Sequence, residues 1–216
     1  MGALQGGLTY RQYKVRDRLP THWQAKVQQG LVNNVAKPLD PEGEFDRVVG
    51  WCSVHFILDT DMSLEQSLRD PYLMVAMRVE SIKIPSGLLR MHCEAEERKV
   101  KRELKKEALS RYERAEVREQ VEAKLRKRVL PSMKSYELLW NTETGVVRFF
   151  TTNKGLNEEL MDLFEDSFGL VLIPDYAYTL AQSPELALDK AQLEALDSVE
   201  PTPFIDDETL FESMRS

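Results

Sequence analysis

The chain has 216 residues, 42% of them hydrophobic and 30% charged, with a formal net charge of −7; this suits one ordinary domain, or a compact core with one sizeable excursion. No run of about 18 apolar residues occurs, so a membrane-spanning helix is not expected, and the opening MGALQGGLTYRQYKV has neither the basic-then-apolar order of a secretory signal nor, with Gly6, the Ser or Thr of a myristoylation motif. Cys52 and Cys93 make no disulfide framework and no metal spacing, which points to a reducing, cytoplasmic setting.

Residues 4–15 mix Leu4, Leu8, Tyr10, Tyr13 and Val15 with polar neighbours and read as a strand. Thr21 follows Pro20 and is placed to cap a helix over 22–36, in which Trp23, Val27, Leu31 and Val35 recur every four residues; Pro38 and Pro41 end it. VVGWCSVHFIL at 48–58 is the β-branched and aromatic run of a buried strand, and YLMVAMRVESIKI at 72–84 is a second. DTDMSLEQSLRDP between them reads as a loop with one helical turn.

Pro85 and Ser86 open a helical region that continues to 130 without proline and, past Gly87, without glycine. Ser110 and Glu113 form an S-x-x-E capping box that divides it into helices 87–108 and 111–130. Val100, Leu104 and Ala108 make one narrow apolar stripe, and Val117, Val121, Leu125 and Val129 make another. Stripes this narrow pack helix on helix, so the region reads as a protruding hairpin. After Pro131, YELLW at 136–140 and VVRFF at 146–150 flank NTETG as a β-hairpin turning at Gly145. Thr152 or Asn153 caps a helix to residue 168, with Leu156, Leu160, Leu163, Phe164 and Phe168 on its apolar side; LVLI at 170–173 is a strand stopped by Pro174. Past residue 181 a helical stretch, ELALDKAQLEALD, precedes an acidic end.

The expected fold class is therefore α+β. Two small β-α-β-β-like halves, residues 1–86 and 131–180, form a mixed-sheet core; the hairpin (87–130) is inserted between them, and an acidic tail (181–216), partly helical or disordered, follows.

Charge is polarised along the chain. Residues 94–130 hold 13 Lys or Arg against 9 Asp or Glu, a net of +4, whereas residues 181–216 hold 2 against 9, a net of −7. The hairpin's cations form two groups: Arg98, Lys99, Lys101, Arg102, Lys105 and Lys106 toward the end of the first helix, and Lys124, Arg126, Lys127 and Arg128 at the end of the second. Two effects produce such groups without a ligand. Cations favour helix C-termini, and Glu–Lys pairs such as Glu97 with Lys101, Glu103 with Lys106 and Glu122 with Arg126 support exposed helices. Ion pairing needs roughly equal numbers of each sign, however, and here the basic residues are in local excess. A phosphate backbone attracts such a face through counterion release, independently of base sequence. No recognition helix, zinc finger or ribonucleoprotein aromatic motif marks base readout.

Catalytic constellations are largely absent from the sequence. His22, His55 and His92 are scattered and read as isolated surface or core histidines; His92 beside Cys93 cannot share a helical face, so neither a metal site nor a Cys–His nucleophile is expected. There is no phosphate-binding glycine loop and no nucleophile elbow. Asp59 with Asp61, or Asp206 with Asp207, could hold magnesium as nuclease carboxylates do, but solvation and helix-end charge explain them better. A non-enzymatic protein without metal or cofactor is expected.

Four stretches resemble the RdgC-type recombination-associated proteins: RVESIKIP at 78–85 with VGW at 49–51, the two basic helices ending in RVLP at 128–131, the hairpin YELLWNTETGVVRFF at 136–150, and DLFEDSFGLVLIP at 162–174. The resemblance runs from about residue 45 to 180. It implies a bacterial nucleoid-associated protein that binds duplex DNA without sequence preference, dimerises through a helical tip matching residues 87–130, and restrains the RecA recombinase by occluding DNA. Family members extend further, with a domain carrying dimer contacts where this chain has its acidic tail, so the resemblance covers the tip contact but not a second, ring-closing interface. Two other readings remain: a protein-interaction module whose hairpin docks an acidic partner, and a metal-dependent nuclease. The tail's −7 is further expected to fold back on the +4 hairpin and compete with phosphate.

Overall fold

Two strands of ten residues organise the fold: β4 (Tyr72–Ser81) and β5 (Ser132–Asn141) pair antiparallel along their whole length, from Tyr72↔Asn141 to Ser81↔Ser132. The structure, a computed structural model, describes residues 8–43, 45–181 and 188–198. In chain order the elements around this pair are β1 (Arg11–Val15), α1 (Trp23–Asn33), β2 (Arg47–Cys52), α2 (Leu64–Ser67) and β3 (Leu68–Arg69) before β4. After β4 come α3 (Ser86–Leu104) and α4 (Arg111–Arg126), and β5 is followed by β6 (Val146–Phe149), α5 (Lys154–Phe168) and β7 (Leu172–Pro174). Among the described residues the sheet has the order β2-β4-β5-β6-β1-β7, with β3 also on β4. The two halves expected from the element order thus meet in one sheet, interleaved, with β1 lying between β6 and β7. The pairings β2–β4, β4–β5, β5–β6 and β1–β6 are antiparallel, and Val35 makes a parallel bridge to Trp51.

Alternation along these strands builds the core. Leu73, Val75, Met77 and Val79 of β4, Leu138 and Trp140 of β5, Val147 and Phe149 of β6, Tyr13 of β1 and Trp51 of β2 are buried in one cluster. α1 and α5 cover that cluster with Val27, Leu31, Leu156, Leu160, Leu163, Phe164 and Phe168. Trp140 meets Phe164 edge-on at 5.0 Å between ring centroids. Each such side chain contributes about 1.5–3 kcal/mol on burial, and two polar pins fix the packing. Trp51 Nε1 donates to Ser167 Oγ at 2.8 Å, and the Tyr13 hydroxyl donates to Asn157 Oδ1 at 2.5 Å. Gly30 lets α1 approach α5: a Cβ there would lie 2.1 Å from the Ser167 carbonyl oxygen.

The opposite face of β2 and β4 carries Arg78 and Glu80, buried and ion-paired at 3.0 Å. Crossing loops satisfy part of the pair: Arg78 donates to the carbonyls of Ala36 and Ile57, and Glu80 accepts from the Leu39 N–H at 2.9 Å, while Arg78 Nε is buried without a hydrogen bond.

Several expected boundaries move. The strand expected over 48–58 stops at Cys52, because β3 occupies the edge of β4 that its continuation would need (Leu68↔Leu73). Phe56 and Leu58 lie on the resulting loop, 59% and 55% exposed. α1 begins after His22, which has φ 68, so Thr21 is not its cap. Asn153 rather than Thr152 caps α5, accepting from the Leu156 N–H. Gly145 takes φ 72 in the β5–β6 turn, as that turn requires.

The chain divides into two units, Met1–Ile173 and Pro174–Ser216. In the second, α6 (Ala177–Ala181) and α7 (Lys190–Asp197) are described, the latter opened by a capping box between Asp189 and Gln192. The expected fold-back of the acidic tail and the pair Asp206–Asp207 lie outside the described residues. No helix among the described residues is long and apolar enough to cross a membrane.

Candidate nucleic-acid interface

α3 and α4 pack as an antiparallel pair. Leu89, Val117, Val121 and Leu125 are buried between them, with Leu88, Cys93 and Val100 alongside. The capping box at the head of α4 is formed: Ser110 accepts from the Glu113 N–H, and the Glu113 carboxylate accepts from the Ser110 N–H at 2.7 Å. Toward the turn the expected stripe gives way. Ala108 is exposed and Leu104 is 48% exposed, while Leu109 takes the buried place. The cause is an early helix stop. Lys105 adopts a left-handed conformation with φ 51, and the N–H groups of Lys105 and Lys106 turn back to the carbonyls of Arg102 and Lys101.

The ten expected site residues fall into two sets. Five are ion-paired. Lys99 bonds Glu96 at 2.8 Å, Lys124 reaches the same carboxylate at 3.9 Å from across the hairpin, and Lys106 bonds Glu113 at 2.5 Å. Arg126 meets Asp46 at 2.5 Å and donates to the Pro41 carbonyl, and Lys127 meets Glu42 at 2.7 Å. These last two tie the end of α4 to the loop ahead of β2, so their charge is spent within the molecule. The helix pairs expected from spacing, Glu97–Lys101, Glu103–Lys106 and Glu122–Arg126, are not the ones formed: Lys106 and Arg126 find carboxylates outside their own helix turns, and Glu122 pairs with Arg118.

The other five, Arg98, Lys101, Arg102, Lys105 and Arg128, form no ion pair among the described residues. Arg98, Lys101 and Arg102 stand at spacings i, i+3 and i+4 on one side of α3, and Lys105 follows at its left-handed C-cap. Leu89, Cys93 and Val100 face α4, so Arg98 and Arg102 lie on the outer side of α3 and Lys101 on its flank. Arg98, Arg102 and Lys105 are exposed and Lys101 is half-buried. At the turn, Arg111 and Arg114 are also exposed and without an ion pair among the described residues; sequence spacing does not single them out, because they sit among the glutamates of α4.

Electrostatics separates the two sets further. Lys106, with the Ser110 capping bonds, holds the Glu113 carboxyl down to about 2, and hydrogen bonding from Lys99 lowers Glu96. These carboxylates stay charged and keep their lysines occupied. Burial pushes the Cys52 thiol up to about 11 and raises Cys93 as well, so neither is an activated nucleophile. His22, His55 and His92 are all exposed and lie on separate elements. Asp59 accepts from the Asp61 N–H at 3.0 Å, a local turn bond. Among the described residues no three His, Cys, Asp or Glu side chains come together as a metal site.

No protein-family model matches the chain, and no curated protein matches it.

Proposed function

We propose that this is a non-enzymatic protein that binds duplex DNA without sequence preference, through the outer face of α3. One observation carries the reading: four cations, Arg98, Lys101 and Arg102 near the end of α3 and Lys105 at its C-cap, cluster there and form no ion pair among the described residues. Seven residues of helix span about 10 Å, and over that length a duplex presents roughly six phosphates, at one charge per about 1.7 Å. The cluster therefore carries about two-thirds of the charge density of the polyanion, while a chain net charge of −7 disfavours wider, undirected contact.

Four neutralised phosphates predict that log K falls with log[salt] at a slope of about −4. Replacing Arg98, Lys101, Arg102 and Lys105 together by Gln removes that binding, whereas replacing Arg126 and Lys127 leaves the slope within about one of its original value. A fluorescence-anisotropy titration of a random duplex over a salt series reads both. Equal slopes in the wild type and the fourfold variant refute the proposal.

Tyr112, 87% exposed, and Leu104, 48% exposed, supply apolar surface at the hairpin turn. We place a homodimer contact there. With it, the protein coats or encircles duplex at the bacterial nucleoid and limits access of a RecA-type recombinase. This apolar pair, flanked by the exposed Arg111 and Arg114, also suits the second reading, a hairpin that docks an acidic protein partner; that reading expects no change in duplex anisotropy even at low salt.

A further inference from the structure

We propose that the cleft at the root of the helical hairpin binds a phosphate group through Lys83 and Lys134. The register puts Arg47 opposite Ser81, Ser81 opposite Ser132 and Val79 opposite Lys134. By alternation, Arg47, Ser81, Ser132 and Lys134 then lie on the sheet face that is apolar core farther along, at Trp51, Met77 and Leu138, and Lys83, just past the end of β4, lines the same cleft. Where α5 begins, at Asn153, this face changes from apolar to cationic and hydroxylated. The result is a cleft of ≈ 300 Å³, lined also by Tyr136, Asn153 and Leu156. Core packing gives no reason for two lysines and two serines at these positions.

The charges in the cleft are unequal in availability. Arg47 is engaged in two bonds to Glu159, at 2.6 and 2.7 Å, and forms a neutral wall. Lys83 and Lys134 are exposed and form no ion pair among the described residues. Beside them the first turn of the 15-residue α5 has N–H groups at Lys154 and Gly155 that the helix itself cannot use, and a Cβ on Gly155 would meet only the capping Asn153 Oδ1, at 3.6 Å. Two ammonium groups match the charge of one phosphate-monoester dianion, or of two successive backbone phosphodiesters, where a single carboxylate would leave one uncompensated. The phosphate belongs either to a free ester or to a nucleic-acid backbone passing from α3 toward its root. Only the second source rests on the duplex reading above.

Amide spectra of the isotope-labelled full chain, titrated separately with inorganic phosphate and with a short random duplex, test this. Phosphate is expected to shift the Gly155 amide saturably in the wild type and in R98Q/K101Q/R102Q/K105Q, and to bind at least tenfold more weakly in K83Q/K134Q. A duplex that moves the same amide identifies the backbone as the source; phosphate binding without a duplex response identifies a free ester, and then the duplex reading fails while this one stands. A duplex response along α3 with the Gly155 amide unmoved by either probe overturns the phosphate site and spares the duplex reading. The site is equally overturned if K83Q/K134Q, melting like the wild type, keeps full phosphate affinity. The wild-type spectra decide the matter even if that variant does not fold.

Discussion

Lys105 ends α3 in a left-handed conformation, φ 51, where glycine would carry no Cβ penalty. A strained non-glycine residue at the end of the cationic cluster links backbone conformation and the proposed duplex contact in one side chain. Lys105→Gly is expected to stabilise the hairpin by about 1 kcal/mol while weakening the proposed duplex binding, so on that proposal a melting curve and an anisotropy titration should move in opposite directions. Glu113 offers a second residue-level test. Lys106 holds its carboxyl at about 2, below its ordinary 4.5. The stabilisation is thus complete above the ordinary carboxylate range and is lost as pH falls toward about 2. Amide exchange at the first turn of α4 should accelerate over that acid interval, and Glu113→Gln should remove the pH dependence.

Among elements, the helical hairpin holds itself together with few side chains. Leu125 is 5% exposed in its seam, and Leu125→Ala is expected to cost about 2–4 kcal/mol. Because the seam forms a cluster separate from the main core, the loss should appear as faster exchange of α3 and α4 amides while β4 and β5 keep their protection; uniform loss across the sheet would show the two clusters to be one cooperative unit. Much of this element was legible beforehand. The capping box at Ser110 and Glu113 and the stripe Val117, Val121, Leu125 are local patterns, set by helix period alone. The turn was less so: the position of the stop depends on which of Lys105, Lys106 and Ala108 accepts a left-handed backbone, and no glycine or proline marks it.

For the molecule as a whole, the sheet face opposite the helices depends on loops that cross it. Arg78 and Glu80 are paired beneath them at 3.0 Å. Removing one partner strands the other in low dielectric, so Arg78→Met should destabilise the fold by about 3–5 kcal/mol, measured by chemical denaturation. The double replacement with apolar residues should recover most of that loss. Sequence alone marks Arg78 and Glu80 as outward positions of a strand, because alternation cannot tell a solvated face from one covered by residues distant in the chain.

Local sequence was enough to determine the α+β class, the helical hairpin, the β5–β6 turn at Gly145 and the amphipathic α5, since each follows from a period or a cap among near neighbours. Only the tertiary structure decided which cations are available. Arg126 and Lys127 meet Asp46 and Glu42 from about eighty residues away, whereas Lys83 and Lys134 line one cleft only because β4 and β5 pair in one register. The physical reason is range: propensity and periodicity act over a turn or two, while the partner that neutralises a charge is chosen by proximity in space.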